Sequence, residues 1–281
     1  MSFDGLRVLS LESRRAAEIE LLIRKQGAQP FVAPSVRERA LADNSDAFRL
    51  LERLESGGCE MLILMTGVGL SFWRDVVASR YDFARADEAL RRAKLLARGP
   101  KPVAVLRGSG MVPDVTIPEP NTWREIVRAI AARPERRLAV QEYGRPHPQF
   151  VAELEAVGAQ VQTFALYRWE LPEDMAPLRE AVRRLAQREA DTILFTSGIQ
   201  LEHLFTVAAE QELAEEVRSA LEEHVAVASI GPIMNEALAE HGLLPDIVPA
   251  SPKMGPLVYA AAEQSAEVIR RKRNGGERLE T

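Results

Sequence analysis

Four short turns hold the residues in this chain best suited to chemistry. Thr66-Gly67-Val68-Gly69 and Thr196-Ser197-Gly198 each follow a buried apolar run and open a helical pattern, as do Gly99-Pro100 and Gly231-Pro232. Proline suits the first turn of a helix, because its missing N–H would have had no partner there. The amides of Val68, Gly198, Ile233 and Met234 then lie at helix starts, where N–H groups and the helix dipole favour an anion. Thr66, Thr196 and Ser197 add hydroxyls. One such turn is an ordinary helix start; four at the ends of strands point to a ligand rich in negatively charged oxygens.

Other chemistries have no motif. No glycine-rich loop ends in Gly-Lys-Ser or Gly-Lys-Thr, and Thr66-Gly67-Val68-Gly69 lacks the spacing and acidic partner of a dinucleotide fingerprint. His147, His203, His224 and His241 are scattered without metal-ligand spacing and read as surface residues. No Ser/His/Asp arrangement suggests a nucleophile. The expectation is a site that works without metal or cofactor, by holding and steering its ligand.

The elements that must position these turns alternate along the chain. Strands are expected at Leu6–Leu11, Pro30–Pro34, Glu60–Met65, Lys94–Ala97, Arg137–Gln141, Ala159–Leu166, Asp191–Phe195 and Val225–Ser229. Helices are expected at Arg15–Gln26, Asp46–Ser56, Lys101–Arg107, Gln149–Ala156, Met175–Arg188, Ile199–Ala209, Leu213–Glu222 and Ile233–Glu240. Gly27 closes the first helix, being tolerant of positive φ. Strand–helix alternation of this kind builds α/β layers around mostly parallel sheets, with ligands at the carboxyl ends of the strands.

The pattern also occurs twice. Arg7-Val8-Leu9 and Gly27-Ala28-Gln29 return as Arg137-Leu138-Ala139 and Gly158-Ala159-Gln160, about 130 residues later. Leu64-Met65-Thr66-Gly67 returns as Leu194-Phe195-Thr196-Ser197. Gly99-Pro100 with Pro113-Asp114 returns as Gly231-Pro232 with Pro245-Asp246. Two similar units, and a cleft between them, are the reading.

Composition bounds the class. The 281 residues carry a net charge of −5, with 46% hydrophobic and 27% charged side chains. That describes a globular protein without the basic surplus of a nucleic-acid binder. No apolar segment reaches membrane-spanning length, and no signal peptide is evident, so a cytoplasmic protein is expected. The single Cys59 reads as a buried small hydrophobe. Arg270–Thr281 reads as a frayed helix end running into a solvated basic tail. No spare apolar face asks for a partner, so a monomer is expected.

Several stretches resemble the uroporphyrinogen-III synthase family over roughly residues 6–268. They are Phe195-Thr196-Ser197 before a helix, Ser229-Ile230-Gly231-Pro232, Gly242-Leu243 with Pro245-Asp246-Ile247-Val248-Pro249, and Gly158-Ala159 followed by Ala165-Leu166-Tyr167-Arg168-Trp169. Gln141-Glu142-Tyr143-Gly144 and Pro120-Asn121-Thr122-Trp123-Arg124-Glu125 add to it. The resemblance implies two flavodoxin-like domains with parallel sheets, joined by a two-stranded linker. Residues 1–35 with 170–268 would form one domain and 36–169 the other, with 269–281 a flexible tail. Pro34–Arg39 and Leu166–Pro172 would be the linkers.

It also implies a cyclising lyase of haem biosynthesis that converts hydroxymethylbilane, an octacarboxylate, into uroporphyrinogen III. Tyr167 would act on the leaving hydroxyl. Substrate would meet Arg14, Arg15, Thr66, Gly67, Val68, Lys101, Arg145, Thr196, Ser197, Gly198, Ser229, Gly231, Pro232, Ile233, Met234 and Lys253. Ile233 and Met234 stand where the family often has threonines, so any hydroxyl role there is lost. The alternatives are a non-catalytic two-domain tetrapyrrole- or anion-binding sensor and a nucleotide-sugar transferase. Missing nucleotide motifs count against the transferase.

Overall fold

A computed structural model describes residues 2–274. In chain order the first elements are β1 (Arg7–Ser10), α1 (Ala16–Lys25), β2 (Gln29–Val32), β3 (Arg37–Ala40), α2 (Ser45–Glu55), β4 (Met61–Leu64), α3 (Gly67–Arg80) and α4 (Phe83–Leu90). Then come β5 (Lys94–Ala97), α5 (Pro100–Gly108), β6 (Val115–Thr116), α6 (Trp123–Ala131), β7 (Arg137–Gln141), α7 (Pro148–Ala156), β8 (Gln160–Phe164) and β9 (Tyr167–Glu170). The remainder is α8 (Ala176–Ala186), β10 (Thr192–Phe195), α9 (Gly198–Glu210), α10 (Ala214–Glu223), β11 (Ala226–Ser229), α11 (Pro232–Glu240) and α12 (Met254–Arg273). None of the described helices is long and apolar enough to cross a membrane.

The chain forms two compact units. One comprises residues up to Arg37 and from Glu170 onward; the other is Glu38–Trp169. We call them unit 1 and unit 2. Unit 1 has the parallel sheet order β11-β10-β1-β2, extended by a parallel bridge from Ala228 to Ile247 beside β11. Unit 2 has the parallel order β6-β5-β4-β7-β8. With β7 and β1 taken as first strands, both are the 2-1-3-4-5 order of flavodoxin-like folds. The passages between the units, β3 and β9, pair as a two-stranded ladder.

Alternation within each strand feeds two cores per unit. In β4, Leu62 and Leu64 face the cluster of Trp73, Val77 and Leu90, while Met61 and Ile63 face Ile126, Ile130 and Phe150. In β10, Ile193 and Phe195 join Leu204, Val207 and Leu238, while Leu194 joins Ile19, Leu257 and Ala261. Strands buried on both faces read as continuous apolar runs, and that is how these appear in the sequence. Each fully buried Leu or Ile contributes roughly 1.5–3 kcal/mol.

Some elements escaped the sequence reading. Helix α3 opens on two glycines, poor helix formers that mask the Leu70-Trp73-Val77 spacing. Helices α4 and α6 are short; Thr122 and Glu125 nevertheless form a capping box before α6. Cys59 is buried beside β4, and burial pushes its thiol up to about 11.

The basic run is the clearest correction. Arg270–Arg273 is the last turn of α12, and within it Lys272 and Arg273 pair with carboxylates of unit 1. Lys272 Nζ lies 2.5 Å from Asp246 and donates to the carbonyls of Leu221 and Val225 at 2.7 and 2.9 Å. Arg273 donates to Asp191 at 2.8 Å, and Arg7 meets the same carboxylate through its side chain and its backbone N–H. Residues 275–281 of the expected tail lie outside the described residues.

Burial by itself would raise the pKa of Asp191, but the Arg7 and Arg273 hydrogen bonds outweigh it and hold the carboxyl at about 2. An unfolded aspartate titrates near pH ~3.9. The folded value is the lower one, so the stabilisation is complete above pH ~4 and is lost as pH falls to about 2. Denaturant titrations should therefore show the wild type losing about 2 kcal/mol more than Asp191→Asn between pH ~4 and ~2. Equal losses would contradict this pairing.

Candidate functional site

In a sheet of this order, a ligand crevice opens at the carboxyl ends of the two strands flanking the topological switch, here β4 and β7 in unit 2. Thr66 lies just past β4, in extended backbone (φ −144°, ψ 147°), and caps α3 by accepting the Gly69 N–H at 3.1 Å. Gln141, the last residue of β7, is fully buried. Its amide locks Thr66 from three sides. Oε1 accepts the Thr66 N–H at 3.3 Å, and Nε2 donates to the Thr66 carbonyl at 3.2 Å and to Oγ1 at 3.0 Å.

A hydroxyl has two lone pairs and one proton. Gly69 and Gln141 use both lone pairs of Thr66, so its proton goes to the Tyr167 oxygen, 3.2 Å away. Tyr167 thus accepts from Thr66. Its ring is 1% exposed, stacked on Phe72 at 5.8 Å and edge-on to Trp169 at 6.4 Å.

The glycines of this turn serve packing as well as the helix start. A Cβ on Gly69 would lie 1.6 Å from Gln141 Nε2. A Cβ on Gly67 would lie 2.8 Å from the Lys101 carbonyl oxygen, so the first turns of α3 and α5 touch. In unit 1 a Cβ on Gly198 would lie 2.9 Å from the Ala237 Cβ of α11. The structural counterpart of Gly67 is therefore Gly198, one residue beyond the Ser197 that sequence alignment of the repeat places there.

Unit 1 secures its own threonine in a similar way. Buried Gln200 accepts the Thr196 N–H at 2.8 Å and donates to Thr196 Oγ1 at 2.7 Å. Thr196 Oγ1 donates to Glu12, just past β1, at 2.5 Å. A carboxylate thus sits at the switch point of unit 1.

Apart from Ser229, the last residue of β11, and Tyr167, the first of β9, the residues expected from the sequence lie past the carboxyl ends of strands, but not all are open to a ligand. In unit 2, Val68 is the second residue of α3, where no carbonyl of its own helix can reach its amide. Lys101 and Arg145 are exposed. In unit 1, Arg14 and Arg15 are exposed after β1, and Arg15 pairs with Glu18. Ser197 caps α9, which Gly198 begins. Lys253 caps α12 from an exposed position.

The β11–α11 turn is more closed. Ser229 is fully buried and donates to Asn235 at 2.5 Å while accepting the Gly231 N–H at 3.3 Å. Met234 packs its side chain in the core, and its amide donates to the Gly231 carbonyl at 3.0 Å. Pro232 and Ile233 remain at the surface. The hydroxyl of Ser229 and the amide of Met234 are therefore engaged within the turn itself.

None of the four histidines is fully exposed. His147 caps α7 through Nδ1, His203 meets the Ser35 carbonyl at 2.6 Å, His241 stacks on Phe205, and His224 is half-buried with its pKa lowered chiefly by burial. No group of three metal-ligating side chains occurs among the described residues.

Sequence reasoning passed over Gln141 and Gln200 as candidates, because nothing in a lone glutamine marks it as the lock on a distant turn. It also passed over Arg98, directly after β5. Arg98 corresponds to Ile230 in the other unit, and a cation facing an isoleucine across the repeat is a readable signal.

Residues 17–259 match the family model described as uroporphyrinogen-III synthase HemD. The uncharacterized protein YjjA of Bacillus subtilis (strain 168) is 29% identical over 268 residues, covering 94% of this chain and 97% of that protein. A crystal structure of a mutant uroporphyrinogen III synthase from the extremely thermophilic bacterium Thermus thermophilus superposes with TM-score 0.74 at 23% identity, covering 94% of this chain and 100% of that one. The Helicobacter pylori 26695 uroporphyrinogen-III synthetase superposes with TM-score 0.52 at 12% identity, covering 91% and 98%. These two likenesses carry the fold.

Proposed function

The chain belongs to the uroporphyrinogen-III synthase family, and from that premise we propose that it cyclises hydroxymethylbilane to uroporphyrinogen III in tetrapyrrole biosynthesis. Closing the bilane with inversion of its last ring requires loss of the terminal hydroxyl as water. The azafulvene cation left behind is attacked by the substituted carbon of the far pyrrole. The resulting spiro intermediate fragments and recloses with that ring turned over. The unaided bilane closes without inversion, so the catalyst's task is largely to hold one conformation.

The observation that carries this reading is the hydrogen-bond order around Thr66. Its lone pairs are filled by Gly69 and Gln141, so its proton goes to Tyr167, which fixes the Tyr167 hydroxyl beside the strand-end turn of unit 2. Carboxylates of the substrate would take the amides of Val68 and Gly198 and the side chains of Lys101, Arg145, Arg14, Arg15 and Lys253. No metal or cofactor enters the scheme.

One observation favours a second reading, ligand binding without turnover: the 1% exposure of Tyr167, which keeps its hydroxyl from solvent. Turnover decides between them. Protein supplied with enzymatically generated hydroxymethylbilane should yield the III isomer on chromatography, and exclusive formation of the I isomer would sink the synthase reading. Tyr167→Phe should slow closure at least tenfold, and by about 10²–10⁴ if it transfers a proton. Unchanged turnover would remove Tyr167 from the chemistry.

A further inference from the structure

The most unusual charge in the molecule is Arg98. Its backbone N–H belongs to the fold, donating to the Leu64 carbonyl at 3.0 Å. Its guanidinium does not: among the described residues it makes no hydrogen bond and no ion pair. Three other half-buried arginines are matched by carboxylates. Arg74 meets Asp87 at 2.9 Å, Arg133 meets Glu135 at 3.1 Å, and Arg37 meets Glu170 at 3.0 Å.

Arg98 has instead the ring of Tyr143, whose centroid lies 5.2 Å from the guanidinium carbon. Burial is the main influence on its pKa and lowers it; the opposing influences are Tyr143 and Tyr167, not a carboxylate. A desolvated, unmatched charge costs stability, and a chain with 41 acidic side chains has ample means of matching it.

The surroundings define a complementary ligand. Arg98 immediately precedes the Gly99 cap of α5, whose first turn touches that of α3, so two helix N-termini add positive potential beside it. Tyr143 packs edge-on to Trp169 at 5.8 Å, making an aromatic wall at the same end of the sheet. A guanidinium binds carboxylate through two parallel hydrogen bonds, and aromatic faces accept a flat ring.

We propose that Arg98 is the receptor for a carboxylate borne on a flat heteroaromatic ring, with Tyr143 packing against the ligand. On the synthase reading, on which the identity of the ligand rests, this is an acetate or propionate arm of one pyrrole of the bilane.

The test uses the whole chain and uroporphyrin III, a fluorescent macrocycle with eight carboxylates, as the binding probe. Arg98→Gln should weaken binding about 10- to 100-fold, the worth of a charge-assisted hydrogen-bonded pair. Arg98→Lys should fall between the two, since a lysine keeps the charge but not the paired geometry. The glutamine variant should melt at or above the wild-type temperature, because it removes an unmatched charge.

A structural role for Arg98 predicts the opposite, and a glutamine variant that melts several degrees lower overturns the proposal. Binding within twofold of wild type, or no binding of the porphyrin by the wild type, also overturns it. A wild type that binds porphyrin but forms only the I isomer defeats the synthase reading and leaves the carboxylate receptor standing.

Discussion

Replacing Lys272 by methionine should lower the unfolding free energy by about 3–5 kcal/mol, the usual cost of breaking a buried ion pair from one side. Lys272 and Asp246 are 10% and 11% exposed and 2.5 Å apart. Asp246 also accepts the Val227 N–H at 2.8 Å, and Lys272 satisfies the carbonyls of Leu221 and Val225. Methionine fills the volume but leaves one carboxylate and two carbonyls without their donor. Arg271, 3.7 Å from the other Asp246 oxygen, offsets only part of this.

The repeat supplies a control. Asp114 is the counterpart of Asp246 and accepts the Leu95 N–H at 2.8 Å, but its lysine, Lys94, is half exposed and 4.0 Å away. Lys94→Met should therefore cost less than about 1 kcal/mol. Urea titrations of the two variants give both numbers. A loss below about 1 kcal/mol at Lys272 would mean that the contact is not closed to water in solution.

Gly69→Ala should cost about 3–5 kcal/mol, far more than one methyl group normally does on a helix. The new Cβ would occupy the position of the Gln141 amide, 1.6 Å from its nitrogen. Overpacking alone costs about 1–3 kcal/mol. Displacing Gln141 adds the loss of its three hydrogen bonds to Thr66, each worth roughly 1 kcal/mol.

Thr66 would then lose its fixed orientation toward Tyr167, so on the synthase reading ring closure should fall with stability. A double-mutant cycle separates sterics from general damage. Gln141→Ala removes the amide and leaves Tyr167 Cε1, 3.1 Å away, as the nearest atom, so adding Gly69→Ala on that background should cost well under half of what it costs in the wild type. Additive losses would show that the clash lies elsewhere.

These effects mark where the sequence was readable. The core strands stood out because both faces of β4 and β10 are apolar, and the Gly-Pro helix starts at α5 and α11 were plain from residue type. The α/β class and the repeat followed from them. What a linear pattern cannot carry is partnership across the sheet. Gly67 and Gly69 read as an anion loop, although half their purpose is to admit Lys101 and Gln141. Met234 read as an amide donor, although its N–H turns back on Gly231. Lys272 and Arg273 read as solvated because their aspartates, Asp246 and Asp191, come from strand ends elsewhere in the chain. Charge runs are ambiguous until the acids that face them are known.

The order of strands in unit 1 also bears on how the chain is made. Strand β1 lies between β2 and β10, with Val8 beside Thr192. A ribosome adding about 5–20 residues per second needs roughly 10–40 s to make the stretch between them. Throughout that interval β1 has one permanent neighbour and one open edge. Strands β4 to β8 of unit 2 are synthesised in a single stretch and can pair while β1 waits. Translation thus imposes a sequence of assembly in which the interrupted unit closes last, with the Lys272 clamp on α12 among its final contacts.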